Sequence, residues 1–249
     1  MDFNIFAEVL DTSLLIGTGV AFVSAVIQGY SGFGGGLVVV PILAILFGPI
    51  EAIAITSIAG LLGNVLLWPD AIKKAYWPEA APLSIAAAIA IPIGLLFLTT
   101  ADPTLIRRGM GVFILVVAAL LMSGWIYKGQ RNVFTSGVAG ALTGGVMGSF
   151  GMPAGPFMVI YYMSAPVAPP IQRANIIISV GVALLFMLGG LIISGAYHET
   201  TIARTIIITP VFLAGTWTGR YLFNVAPLSW FKKAVYVILI ATGVSILLV

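Results

Sequence analysis

The chain contains no cysteine and a single histidine, His198. The first absence excludes disulfides, thiolate chemistry and cysteine-ligated metals, and the second leaves no set of imidazoles from which to build a zinc site. Charge is scarce as well: Asp, Glu, Lys and Arg make up 8% of the residues, and the 11 Lys and Arg never form a run longer than a pair. Nothing here grips a phosphate backbone, so nucleic acid is excluded as a partner. The pI of about 9.3 bears on orientation in a membrane instead. Residues Met1 to Asp11 carry Asp2, Glu8 and Asp11 but no Lys or Arg. They lack the positive flank of a cleavable signal peptide, so the first hydrophobic segment is expected to stay as a spanning helix. No cofactor is expected.

What fills the chain is apolar. Hydrophobic residues reach 60% and mean hydropathy is +1.15, which describes an all-α polytopic membrane protein, one transmembrane domain over residues 1–249. The apolar segments run approximately 12–30, 37–48, 51–68, 82–99 and 105–127, then 132–148, 155–164, 172–195, 203–223 and 230–249. Segments of about 18 residues or more cross roughly 30 Å of hydrocarbon, whereas 37–48 and 155–164 read as half-helices that follow a break.

The first break is the stretch Gln28 to Pro41, with five glycines before Leu37. Glycine costs about 1 kcal/mol in a helix interior, so the helix is expected to open from Gly29 to Gly36. A helix restarting at Leu37 aims free N–H groups and a positive dipole end into that opening, which suits a small anion. A glycine bend with no ligand is the alternative. Sliding the chain on itself by 117 positions places Phe33-Gly34 on Phe150-Gly151 and Gly48-Pro49 on Ala165-Pro166; a shift of 125 places Gly94 on Gly219 and Arg107-Arg108 on Lys232-Lys233. The irregularity recurs at Gly144 to Pro156. Paired broken segments at matching places point to a transporter binding site, with repeat 1 over about 12–127 and repeat 2 over about 132–249.

If each short segment completes a crossing, each half has five spans. With the N-terminus outside, Lys73, Lys74, Lys128, Arg131, Arg173, Arg220, Lys232 and Lys233 then lie inside, and Arg107, Arg108 and Arg204 lie outside. If the short segments return instead, the count is six against five and gives no orientation. The positive-inside bias favours two inverted repeats of about five segments each, with Gly32–Gly36 and Gly151–Gly155 meeting near the midplane.

Halves that each begin with a glycine-rich break and a half-helix, as in Gly32-Phe-Gly-Gly-Gly-Leu-Val-Val-Val-Pro41, resemble the TauE/SafE family of membrane transporters, the sulfite exporters. The resemblance covers nearly the whole chain, although Met152-Pro153 stands where the first half has Gly35-Gly36. It implies secondary transport of a small sulfur-containing anion, such as sulfite, sulfoacetate or another organosulfonate, across the bacterial cytoplasmic membrane.

Polar residues inside the segments supply the candidate substrate contacts. Gln28, Tyr30 and Ser31 lie at the first break beside Gly34, Gly35 and Gly36; Ser149 and Gly151 lie at the second; Ser57 and Asn64, with Thr56, follow on the next helix, matched by Arg173, Asn175 and Ser179 in the other half. A buried Arg needs an acid, backbone carbonyls or an anionic ligand, and its fork fits a sulfonate. Arg173 either supplies that charge or snorkels or pairs with a carbonyl. Ser57, Asn64, Asn175 and Ser179 either touch the anion or tie helices together. Glu51 reads as an N-terminal cap more than a proton carrier. Trp68, Trp77, Tyr76, Trp125, Tyr127 and Trp230 read as an interfacial belt that sets depth. Trp217 either lines the pathway or marks small-residue packing beside Gly215 and Gly219.

Two other functions remain to be weighed. An anion channel of similar architecture would use the same half-helix dipoles. Gly29-Tyr30-Ser31-Gly32 matches the Gly-x-Ser-Gly of rhomboid-like intramembrane proteases, but His198, the single candidate base, lies in a polar loop beside Glu199, so an enzyme is not expected.

Overall fold

The computed structural model describes residues 4–248 except 33, 126, 153–155 and 226–227, and among the described residues every regular element is an α-helix. A short α1 (Asn4–Val9) precedes α2 (Thr12–Ser31), α3 (Gly35–Phe47), α4 (Pro49–Val65), α5 (Trp68–Lys74), α6 (Trp77–Thr100) and α7 (Pro103–Ser123). The second half holds α8 (Val133–Phe150), α9 (Pro156–Met163), α10 (Pro169–Ile193), α11 (Glu199–Val225) and α12 (Leu228–Leu248). Among the described residues six helices are long and apolar enough to cross a bilayer, and α4 with α5, bent by 64°, makes a seventh where that pair counts as one broken span.

Local sequence explains the starts. Asp11 caps α2, its carboxylate accepting from the Leu14 N–H at 2.7 Å; Asp102 does the same for Thr104 at 2.7 Å at the head of α7; Asn132 and Thr135 form a reciprocal capping box on α8. Each arrangement satisfies donors that the first turn leaves orphaned.

An opening from Gly29 to Gly36 proves too wide an expectation. α2 continues through Ser31, and Gly29, instead of opening the helix, lies against the backbone carbonyl of Thr216 on α11, where a Cβ would collide. Gly32 and Gly34 take the left-handed conformation, with φ of +83° and +86°, and α3 restarts at Gly35 rather than Leu37. Phe33, between them, lies outside the described residues, as do Pro153, Ala154 and Gly155 of the second break.

Glycine contacts give the helix directions. α3 runs back along α2, with Gly35 beside Ser24 and Gln28 and Gly17 beside Leu43 and Phe47. α9 likewise runs back along α8, its Tyr161 hydroxyl 2.8 Å from that of Ser136 near the α8 start. Gly140, Gly144 and Gly148 bring α8 onto the carbonyls of Leu83, Ala87 and Ile91, so α6 and α8 are parallel. Gly215 and Gly219 bring α11 onto the carbonyls of Phe22 and Val26, so α2 and α11 are parallel too. α7 and α12 are antiparallel, Gly111 meeting Ile246 while Gly243 meets Leu115. Without a hydrophobic drive between helices in lipid, backbone approach at small residues supplies the packing. The open question over Trp217 is resolved here: its neighbours Gly215 and Gly219 face α2, while Trp217 is 67% exposed on the outer surface. Trp68 does more than set depth, since its indole N–H donates to Asn64 Oδ1 at 2.7 Å across the α4–α5 bend.

Candidate functional site

Between the two breaks lies a narrow cavity of about 10 Å³, room for roughly one water. Gln28 and Gly36 reach it from the first break, Met147 and Gly151 from the second, and Thr56 and Ser57 from α4. Its apolar walls include Ile53, Met187 and Phe212. Among the described residues no charged side chain lines it. Polar character comes from the Gln28 amide, whose Nε2 donates to the Gly60 carbonyl at 3.2 Å, from two hydroxyls, and from the first turn of α3 at Gly36. A helix N-terminus carries unsatisfied N–H groups and about half a positive charge, so this end favours an anion without a formal cation. Gly35 stands behind it, where a Cβ would come within 2.5 Å of the Ser24 carbonyl oxygen and 2.9 Å of Gln28 Cβ. Gly34 supplies the left-handed cap before α3.

A polar cluster lies toward each end of the bundle. At the end where α4 and α11 begin, Glu51 pairs with Arg204 at 2.8 Å, and the Arg204 guanidinium lies 4.2 Å from the centre of the Phe47 ring. Glu51 therefore occupies the first turn of α4, as a cap would, and is also half of an ion pair between α4 and α11. Beside it the Tyr197 hydroxyl shares a 2.7 Å hydrogen bond with Ser57 and lies 3.2 Å from the Ala54 carbonyl. Burial pushes the Tyr197 phenol above its ordinary range, although the Ser57 bond pulls it down, so the group acts as a neutral hydroxyl.

At the opposite end, where α2 and α11 finish, Arg173 donates through Nη2 to the Gly29 carbonyl at 2.7 Å and through Nε to the Tyr30 carbonyl at 3.1 Å. Its guanidinium lies 4.3 Å from the Phe223 ring centre, and Tyr30 meets the same ring edge-on at 5.6 Å. Arg173 thus caps the negative end of α2, where the last carbonyls lack helical partners. Arg220 ties α11 to the α4–α5 bend, bonding Asp70 at 2.7 Å and the Leu66 carbonyl at 3.3 Å.

The residues singled out from sequence therefore fall into three groups and one lone residue, Ser149. Gln28, Gly36, Ser57 and Gly151 share the central cavity, with Gly34 and Gly35 shaping its wall. Tyr30, Ser31 and Arg173 lie at the α2 end, where the Ser31 hydroxyl donates to the Ile27 carbonyl at 2.7 Å. Asn64, Asn175 and Ser179 tie backbone and side chains together: Asn175 Oδ1 accepts from the Tyr76 N–H at 2.7 Å, and Ser179 bonds Ser84 at 2.9 Å and Tyr162 at 2.8 Å. Ser149 sits where α8 crosses α6, its backbone N 2.6 Å from where a Gly94 Cβ would be. Sequence reasoning missed Met147, Met187 and Phe212, because an apolar wall residue within an apolar span carries no signal. It also missed Tyr197, whose loop position hides its reach to Ser57.

A protease site is not assembled. His198 is exposed just before α11, and the parallel packing of α2 on α11 sets Ser31 near Arg220, roughly 30 Å farther along at 1.5 Å per residue.

No curated protein and no solved structure matches the chain. The family profile described as sulfite exporter TauE/SafE matches residues 17–246, from within α2 to near the end of α12. The chain belongs to the sulfite exporter TauE/SafE family, multi-pass transporters of the cell membrane and not enzymes.

Proposed function

We propose that the protein is a secondary carrier for a small sulfur oxyanion, sulfite or an organosulfonate such as sulfoacetate, which occupies the central cavity between the two breaks. The observation that carries this reading is the shared cavity, walled by Gln28 and Gly36 from one half and Gly151 from the other. The anion is held by the α3 dipole, the Gln28 amide and the hydroxyls of Thr56 and Ser57, in a site without a fixed cation. Room for one water is too little for sulfite, so loading requires the helices to part at one end while the other stays shut. The two ion-pair clusters at opposite ends suit alternating closure better than an open channel.

The halves are read as inverted repeats. Support comes from the exchange pattern: α2 pairs in parallel with α11 as α8 does with α6, while α7 and α12 pair antiparallel. Counting α3 and α9 as crossings places Lys73, Lys74, Lys128, Arg131, Arg173 and Arg220 on one side and Arg107, Arg108 and Arg204 on the other, which assigns the first side to the cytoplasm. Sulfite counterflow in proteoliposomes tests the function: the carrier predicts saturable uptake accelerated by sulfite loaded inside, and a Gln28→Leu variant should lose at least tenfold in rate. Uptake that neither saturates nor responds to internal sulfite would assign a channel.

A further inference from the structure

A second pocket of about 70 Å³ opens at the end where α2 finishes, between α5, α10 and α11. Its charged lining is Lys74, Arg173, Arg220 and Asp70. Arg220 is bonded to Asp70 at 2.7 Å, which leaves Lys74 and Arg173 as uncompensated positive charges. Lys74 is exposed and forms no ion pair among the described residues. Arg173 spends its Nε and one Nη on the Gly29 and Tyr30 carbonyls, and Nη1 has no partner among the described residues. Free donors of a planar guanidinium and a mobile ammonium facing one recess are the recognition chemistry of a tetrahedral or pyramidal oxyanion. The pocket abuts the break as well, since a Cβ on Gly32 would lie 3.4 Å from Arg173 Cγ, and Gln28 of the central cavity directly precedes the carbonyl that Arg173 holds.

We propose that this pocket is a second oxyanion site, separate from the central cavity, in which Lys74 and the free edge of Arg173 take the anion. The proposal rests on the transporter reading for its role, as the place where the anion waits before the first break opens. Its chemistry is shared by two sources, a soluble sulfur or phosphorus oxyanion and the phosphate of an anionic lipid headgroup. An oxyanion bound here competes with the α2 carbonyls for the Arg173 guanidinium, which links occupancy of the pocket to release of the α2 end.

Calorimetry with inorganic sulfate, on protein in nanodiscs of zwitterionic lipid, tests it without relying on transport. Wild type should bind sulfate, Lys74→Gln should bind it severalfold more weakly, Lys74→Glu should abolish it, and Gln28→Leu should leave this binding intact. Repeating the titration in phosphatidylglycerol nanodiscs separates the sources: unchanged affinity assigns a soluble anion, and weakened affinity assigns the headgroup. Absence of sulfate binding by wild type, or equal binding by wild type and Lys74→Glu, would overturn the proposal. A protein that shows Lys74-dependent sulfate binding but no sulfite counterflow would keep this site and remove the proposed transport function.

Discussion

The two breaks begin alike and differ in chemistry. In both, a helix ends on a left-handed glycine, Gly32 at φ +83° and Gly151 at φ +65°, and a shorter helix runs back along the one just finished. In both, a helix of the other half covers the turn: Arg173 and Ile177 of α10 lie against Gly32, and Ile53 of α4 lies against Gly151. The 117-residue shift that aligns the halves puts Arg173 on Thr56. Thr56 bonds its own helix at the Ala52 carbonyl at 2.7 Å and lines the central cavity, whereas Arg173 reaches across to the carbonyls of α2. The turn and the cross-half contact are common to both breaks, while the charge stands at one. The first turn therefore carries a cation, Arg173, and the second is covered by the apolar Ile53.

The comparison can be broken most severely at the second turn. Gly151→Val forces a β-branched residue to positive φ and drives it into Ile53, a combined cost of about 3 kcal/mol or more from strain and overpacking. Thermal unfolding in detergent should show a Tm drop of several degrees with flux lost; a stable, active protein would mean that the turn at Gly151 can relax freely.

Removing the charge from the first break comes next. Arg173→Gln leaves the Gly29 and Tyr30 carbonyls short of a donor, a loss of about 1–3 kcal/mol, and should slow sulfite flux more than Arg173→Lys does. Equal rates in the two variants would make the planar fork irrelevant.

At the opposite end, Glu51→Gln removes one partner from a pair whose side chains are 18% and 19% exposed. Partial solvation keeps the expected loss to about 1 kcal/mol, reduced at high salt, and the freed Arg204 should ease opening on that side. Accessibility labelling of a cysteine placed at Thr56, which lines the cavity, should rise, and no increase would show that the ion pair does not hold that end shut.

The smallest effect is expected at Gly145, where a Cβ meets nothing within 4 Å. Gly145→Ala should change stability by no more than about 1 kcal/mol, and in the stabilising direction, while Gly144→Ala one position earlier should damage the α6–α8 crossing. Similar Tm values for the two would contradict the assigned packing faces.

Helix positions were legible in the sequence from apolar length, whereas the caps Asp11, Asp102 and Asn132 came from the structure. Glycine and proline spacing pointed to the place of both breaks. The partner helices were not legible: Gly140, Gly144 and Gly148 stand four residues apart, but nothing local says that Leu83, Ala87 and Ile91 lie beneath them. For the same reason Gly29 reads as part of the break when it is a contact with α11. Arg173 was recognisable as a costly residue in an apolar setting, and backbone carbonyls were one of the partners it was expected to need. That they belong to α2 is a tertiary fact. Asn175 and Ser179 looked equally functional, and their hydrogen bonds to Tyr76, Ser84 and Tyr162 depend on helices distant in sequence.

The central claim, that the anion sits between the two breaks, is tested most directly by determining the structure with selenite, a heavier analogue of sulfite. The account predicts a strong peak within hydrogen-bond reach of the Gln28 amide and the first turn of α3, bordered by Ser57 and Gly151, with the cavity enlarged beyond its present room for one water. A peak confined to the pocket of Lys74 and Arg173, with the central cavity still closed and empty at saturating selenite, would contradict it.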